Sequence, residues 1–279
     1  MAEPLYVSGA AGYDGLFARV TRSFIPALLE AAEIAAGHRV LDVATGTGAA
    51  AHAAAELVGS RGHVIAGDIS STMLDVAKRN LVDAPIRFGQ FDGHALPFPD
   101  GHFDRVICQL GLAFFDDPAR GLAEFNRVLV PGGRTAVSVN STAERSLFGR
   151  IGTVVGHHLP AEAEQLNRYA SIRTAERLSA LLHGAGFGQV VVCTELRSFS
   201  FASFEDYFGG IEAGAGFVGQ EYVKLPQDLQ SIVREDVRRL FPGGGCSRPF
   251  VVDMEVLVGS GHKRCGRMSM YLDRTPPPP

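Results

Sequence analysis

An α/β fold, doubly wound around a mostly parallel sheet, is what this sequence predicts, and two observations carry the prediction. Between residues 38 and 139, short apolar runs of strand length alternate with segments of helical periodicity. Such a period implies right-handed crossovers between parallel strands. The first run also ends in a glycine-rich turn, Thr45-Gly-Thr-Gly48, that opens an alanine-rich helical segment.

Taken in order, residues 14–36 place Leu16, Phe17, Val20, Phe24, Ile25, Leu28, Leu29 and Ile34 at helical spacing, so a helix or helix pair precedes the sheet. Strands follow at His38–Ala44, His63–Asp68, Ile86–Phe91, Phe103–Gln109 and Arg134–Val139. Helices are expected over 49–57, from the Ser70/Ser71 cap to about Asn80, and over 117–129. Pro131-Gly-Gly133 reads as a helix stop and turn. Past residue 140 the pattern loosens: helices over Arg145–Val155, Thr174–Ala185 and most of 203–241, with strands at Gln189–Thr194 and Val251–Val258. The organisation expected is a helical cap (1–36), a ligand-binding core (37–139), a lid with the remaining strands of the same fold (140–260), and a tail (261–279) ending in four prolines.

Composition narrows the function. With 279 residues, 46% hydrophobic and 20% charged, the chain has material for a sizeable core. A net charge of -4 and scattered basic residues argue against a nucleic-acid partner held by a basic stripe. Cys108, Cys193, Cys246 and Cys265 form no CxxC pair, so no metal site is expected. No signal-peptide pattern or membrane-length apolar run is visible, and a cytoplasmic address is expected.

The loop in Val40-Leu-Asp-Val-Ala-Thr-Gly-Thr-Gly48 lets backbone approach a ligand at a helix N-terminus. Alone it leaves a dinucleotide open, because Gly46-Thr-Gly48-Ala-Ala-Ala51 also fits GxGxx(G/A). Asp68, ending the second strand, suits ribose hydroxyls in either case. Asp42 favours a cationic ligand, since its carboxylate would repel a pyrophosphate; the plain alternative is a backbone-capping carboxylate. Phe91-Asp-Gly-His-Ala-Leu-Pro-Phe98 then supplies Asp92 as an acceptor, with Gly93 leaving room for a ring edge. Leu96, Pro97 and Phe98 serve as an apolar wall or as core packing.

The order of DVATGTG, GDIS, DGHALPFPDGHFD and RVLVPGG over residues 38–139 resembles the class I S-adenosylmethionine methyltransferases. It looks most like the ubiquinone/menaquinone-biosynthesis C-methyltransferase group and its secondary-metabolism relatives. One departure is Ala44, where many relatives carry the loop's first glycine; alanine costs little there if φ is negative. The resemblance implies a Rossmann-like, seven-stranded sheet with an antiparallel last strand at Val251–Val258. It implies Asp42, Ala44 and Gly46 at the methionine end of S-adenosylmethionine, Asp68 at the ribose, Ile69 and Met73 on the adenine faces, and Asp92 and Gly93 at the adenine edge. Gln109 and Leu110 would sit by the transferring methyl. Met73 is equally a plain core residue of its helix.

Methyl transfer from a sulfonium releases a neutral thioether (S-adenosylhomocysteine), so alignment carries most of the acceleration and no catalytic dyad is required. If the acceptor must lose a proton, His157, His158 or Tyr13 are the candidate bases, against solvated, capping or packing roles. The aromatics of 199–208, with Phe217 and Tyr222, would line an apolar, aromatic or terpenoid acceptor pocket, pack a helix on the sheet, or face another subunit in a homo-oligomer. The expected activity is methylation of a small molecule at carbon or oxygen. The alternatives are a cofactor-binding protein of this fold with a non-methylating role, such as a cyclase, and an NAD-dependent oxidoreductase.

Overall fold

The computed structural model describes residues 16–166, 171–241 and 249–264; Tyr13 and the proline-rich end lie outside the described residues. Seven strands form one sheet in the order β3-β2-β1-β4-β5-β7-β6. They are β1 (Arg39–Val43), β2 (His63–Asp68), β3 (Ile86–Gln90), β4 (Phe103–Gln109), β5 (Leu129–Asn140), β6 (Phe187–Phe201) and β7 (Phe250–Lys263). The first five pair in parallel, while β7 runs antiparallel to both β5 and β6. Strand order reverses between β1 and β4, so the connections leaving their carboxyl ends diverge and open a crevice there.

Both faces of the sheet are covered, which explains the near-continuous apolar character of its central strands. On one face, Val40 packs with Ala50, Ala51 and Ala54 of α3 (Ala49–Val58), whose small side chains allow a close helix–sheet approach. On the other, Leu41 and Val43 meet Leu122, Phe125 and Val128 of α5 (Pro118–Val128). Each such fully buried side chain contributes about 1.5–3 kcal/mol. The helix starts are capped as the sequence implies: Ser70 accepts from the Met73 N–H at α4 (Ser71–Asn80), and Asp117 from the Arg120 N–H at α5.

The structure departs from the sequence expectations in several places. Of the two forms expected for the 14–36 pattern the structure has the helix pair, α1 (Leu16–Arg22) and α2 (Ile25–Ala31), broken before Pro26, which has no N–H and suits a first turn; the departures lie elsewhere. Pro131-Gly-Gly133 belongs to β5 rather than to a turn before it: pairing with β4 slips between Phe103 and Arg105, making an irregular entry to the strand. β7 runs to Lys263, past the expected start of the tail, and the Lys263 ammonium donates to the carbonyls of Arg127 and Leu129 at 3.0 and 2.7 Å. β6 is far longer than Gln189–Thr194. β5 pairs with β7 only as far as Asn140↔Val256, so β6 residues 196–201 and β7 residues 250–255 continue as a two-stranded ribbon beyond the sheet's carboxyl edge.

That ribbon and a helical layer build one end of the molecule. Phe199 and Phe201 turn inward onto α1 and α2, with Phe24 6.4 Å from Phe199 and the Arg19 guanidinium 5.5 Å from the Phe201 ring. α6 (Leu147–His158), α7 (Ala163–Leu166), α9 (Phe204–Glu212), α10 (Gly216–Lys224) and α11 (Gln227–Arg239) pack on the same face, while α8 (Ala175–Gly184) joins the cluster on the other. Tyr207 is wholly buried and donates its hydroxyl to the Leu147 carbonyl at 3.0 Å, locking α9 to the start of α6. Phe208 stacks on Phe204 and meets Tyr222 edge-on at 5.2 Å. The packing role weighed for Phe204, Tyr207 and Phe208 is the one observed. Among the described residues no helix is long and apolar enough to cross a membrane.

Candidate active site

Asp42 lies in register with Ala66 of β2 and Ile107 of β4, on a strand flanked on both sides, and is fully buried. Its Oδ2 accepts from the Thr45 hydroxyl at 2.6 Å, while Oδ1 has no hydrogen-bond partner among the described residues. Burial raises its carboxyl to about 7; the Thr45 hydroxyl opposes that shift and the nearby Asp68 adds to it. A half-satisfied carboxylate at the base of a crevice is an electrostatic vacancy for a cation.

The loop above it is held by backbone bonds. Thr45 N–H donates to the Gly67 carbonyl, and Gly46 N–H to Asp68 Oδ2 at 2.9 Å. Asp68 Oδ1 takes the Ser70 N–H at 2.9 Å. Asp68 therefore ties the two loops together before any ligand arrives, and the remaining lone pairs of its carboxylate stay open for hydroxyl donors. Burial raises its carboxyl too, against the backbone donors of Ser70 and Gly46. Gly48 opens α3 at φ 86°, where a Cβ would lie 2.6 Å from the Leu81 side chain. The positive φ favours glycine, and a Cβ would also push the Leu81 side chain aside and crowd Ala77 of α4.

Ala44 corrects an expectation. Its φ is +57°, not negative, so the alanine is held in the left-handed region that many relatives fill with glycine. That conformation costs an L-residue about 1–2 kcal/mol. Leu110, directly after β4, is the other left-handed residue at this edge, at φ 55°. Strain of this kind persists where the surroundings over-determine it, and it gathers at functional edges.

The other sequence-designated residues fall around this crevice or away from it. Ile69 is half exposed beside the Asp68 loop, and Met73 is buried on α4 as a core-type residue. Asp92 Oδ1 accepts both the backbone N–H and the ring Nδ1 of His94, at 2.8 and 2.7 Å. Desolvation works upward on this carboxyl, but the His94 bonds outweigh it and hold it below the usual range. His94 Nε2 accepts the Asp117 N–H at 3.2 Å, so the ring links Asp92 to the start of α5. Where Gly93 lacks a side chain, the Phe115 ring occupies the space, 2.4 Å from an ideal Cβ. Gln109 donates to the Thr21 carbonyl of α1 at 3.1 Å and accepts from Ser138 at 2.8 Å. Leu110 N–H donates to the same Ser138 oxygen at 3.0 Å.

Of the candidate bases, His157 and His158 lie within the described residues, and neither has a contact with this edge among those observed. His158 ends α6 and meets Asp236 of α11 at 2.9 Å, and His157 lies edge-on to it at 5.9 Å. α6 begins next to the sheet's carboxyl edge, and eleven residues of helix carry the chain about 16 Å from there to His158. Thr45 and His94 lie inside the quoted motifs without a role assigned to them there, and Ser138 lies outside them; spacing alone cannot show which of these side chains turns inward.

Comparisons with known proteins identify the family. Residues 41–137 match a family described as a methyltransferase domain. A ubiquinone/menaquinone biosynthesis C-methyltransferase (UbiE) of Teredinibacter turnerae is 34% identical over 177 residues, covering 58% of this chain and 71% of that protein. A methyltransferase-candidate protein of Bacillus halodurans C-125 superposes with a TM-score of 0.61 at 22% identity, covering 87% of this chain and 99% of that one. The (4+2)-cyclase SpnF superposes at 0.57 with 19% identity, covering 91% and 85%. Both structural likenesses speak to the fold. The chain belongs to the class I S-adenosylmethionine-dependent methyltransferases, and S-adenosylmethionine is its cofactor. Within that class it is similar to the UbiE C-methyltransferases. The NAD-dependent reading that the glycine pattern left open is set aside.

Proposed function

We propose that this enzyme methylates a small apolar or aromatic molecule, at carbon or oxygen, by in-line displacement. The observation that carries the reading is charge placement at the strand-order reversal. Asp42 keeps a buried carboxylate oxygen without a side-chain partner beneath the loop that follows β1, while the residues that follow β4 and the β5 residue fixing them, Gln109, Leu110 and Ser138, carry no charge. A cation fits the first, and a neutral acceptor fits the second.

In this reading Asp42, Ala44 and Gly46 hold the ammonium-bearing end of the cofactor and Asp68 receives its ribose hydroxyls. Ile69 and Met73 flank the adenine, while Asp92, fixed by His94, meets its edge beside Gly93. The cofactor supplies an electrophilic methyl whose leaving group is a neutral thioether. Gln109 and Leu110, fixed through Ser138, shape the wall next to that methyl and align the acceptor. Residues 140–260 contribute the acceptor-side lid, with the ribbon of β6 and β7 as its stiff element.

Incubation with methyl-labelled S-adenosylmethionine and a panel of hydroxylated aromatics and quinols tests the reading. Labelled acceptor and S-adenosylhomocysteine should form in equal amounts. Rearranged acceptor without S-adenosylhomocysteine would identify a cyclase-like role instead.

A further inference from the structure

Residues 91–102 carry the chain from β3 to β4 without a helix, although a parallel crossover usually lays one on the sheet. The two faces of β3 differ as a result. Ile86 and Phe88 pack on the α3 side of the core, whereas Arg87 alternates to the other face, in register with Ile65 of β2, and is exposed. A cavity of about 140 Å³ lies on that helix-free face. It sits at the amino edge of the sheet, where Arg39, His63 and Phe103 begin β1, β2 and β4. Asp42 is three residues further along β1, about 10 Å away, so the crevice at the carboxyl edge is a separate place.

The cavity has an apolar part, with Ile65 and Phe103, and a nitrogen-rich part, with Arg39, His63, Arg87 and His102; no carboxylate lines it. Asp104 accepts from Nε and Nη2 of Arg39 at 3.1 and 3.0 Å, which fixes that guanidinium and leaves its Nη1 for another acceptor. The His102 ring lies parallel to Phe98, 8° between planes, and meets Phe103 edge-on at 4.8 Å. The Arg87 guanidinium and the His63 and His102 rings have no hydrogen-bond or ion-pair partner among the described residues. A cation without a counter-ion, flanked by idle ring nitrogens and an apolar floor, matches an anion carried on an apolar body. The planar fork of a guanidinium favours a carboxylate, and a cavity of about 150 Å³ takes one benzene ring. We propose that this cavity is a second ligand site, apart from the methyl-transfer crevice, for a one-ring aromatic carboxylate. Its ring rests on Ile65 and Phe103 and its carboxylate on Arg87, with Arg39 Nη1 and the two imidazoles as further donors.

Calorimetric titration of the S-adenosylhomocysteine-bound enzyme with benzoate, and with benzamide as its uncharged counterpart of the same shape, tests the site. Benzoate should bind at least about tenfold tighter than benzamide. Arg87→Gln should weaken benzoate by at least about tenfold, and Arg87→Lys should recover part of the loss. Because Arg87 is exposed and its guanidinium is unpaired, both variants should keep the wild-type melting temperature and S-adenosylhomocysteine affinity. Inorganic phosphate should bind more weakly than benzoate, since it leaves the apolar floor bare. Equal binding of benzoate and benzamide, benzoate affinity indifferent to Arg87→Gln, or phosphate matching benzoate would each overturn the proposal.

Discussion

Thr45 donates its hydroxyl to one oxygen of Asp42 at 2.6 Å and leaves the other oxygen bare in the interior. The pair is a seat half filled by the protein. Asp42 ionises only against the cost of its burial, and a cationic ligand removes that cost.

A pH dependence follows, with a definite sign. Burial raises the folded carboxyl of Asp42 to about 7, well above its unfolded value, and Asp68 shifts in the same direction. Ligand-free stability from Asp42 is therefore fully present below its unfolded value and is lost as pH rises through about 7. Thermal melts of the ligand-free wild type from pH 5 to 8 should fall more steeply than those of Asp42→Asn. S-adenosylmethionine affinity should rise over the same interval in the wild type and stay flat in the variant. A wild type and variant with parallel profiles would remove Asp42 from the titration.

Ala44 gives a backbone prediction. Release of its left-handed strain by Ala44→Gly is worth about 1–2 kcal/mol, less about 0.4–1 kcal/mol for the added freedom of the unfolded chain. A net gain between about 0 and about 1.6 kcal/mol in denaturant unfolding is expected. Ala44→Val, β-branched at positive φ, should lose stability instead.

The His158–Asp236 contact ties α6 to α11 and is partly exposed, at 20% and 34%. His158→Ala and Asp236→Asn should each cost about 1 kcal/mol or less and leave turnover nearly unchanged. A loss of about 10²–10⁴ in rate in His158→Ala alone would instead mark it as a general base.

Phe208 is a packing residue, so Phe208→Ala should destabilise by about 3–5 kcal/mol in chemical denaturation. Unchanged stability combined with altered acceptor binding would return it to the acceptor pocket.

Much of the fold is legible in residues 38–139, because strands buried on both faces show as uninterrupted apolar runs and their helices begin at recognisable caps. The acidic positions Asp42, Asp68 and Asp92 are legible for the same reason: each ends or follows such a run. The far half of β6 is not, since Glu195-Leu-Arg-Ser-Phe-Ser-Phe201 carries residues of weak strand preference. Its only signal is the two-residue period of Arg197, Phe199 and Phe201 facing the helical layer. The left-handed backbone of Ala44 is invisible in an alanine, and the departure from the family's glycine was the single hint.

The place of β7 has a consequence for how the chain is made. Of the seven described strands it is the last to be synthesised, yet it lies between β5 and β6, and its partners precede it by more than a hundred residues on the β5 side. Until Lys263 has left the ribosome, β5 presents a bare apolar edge and β6 has no neighbour at all. The first five strands can assemble during translation, whereas the second half of the sheet must wait and then close in one late step. Truncation before Phe250 should consequently yield a soluble-core fragment with two open edges that associates with its own kind, the hazard of unpaired strand edges.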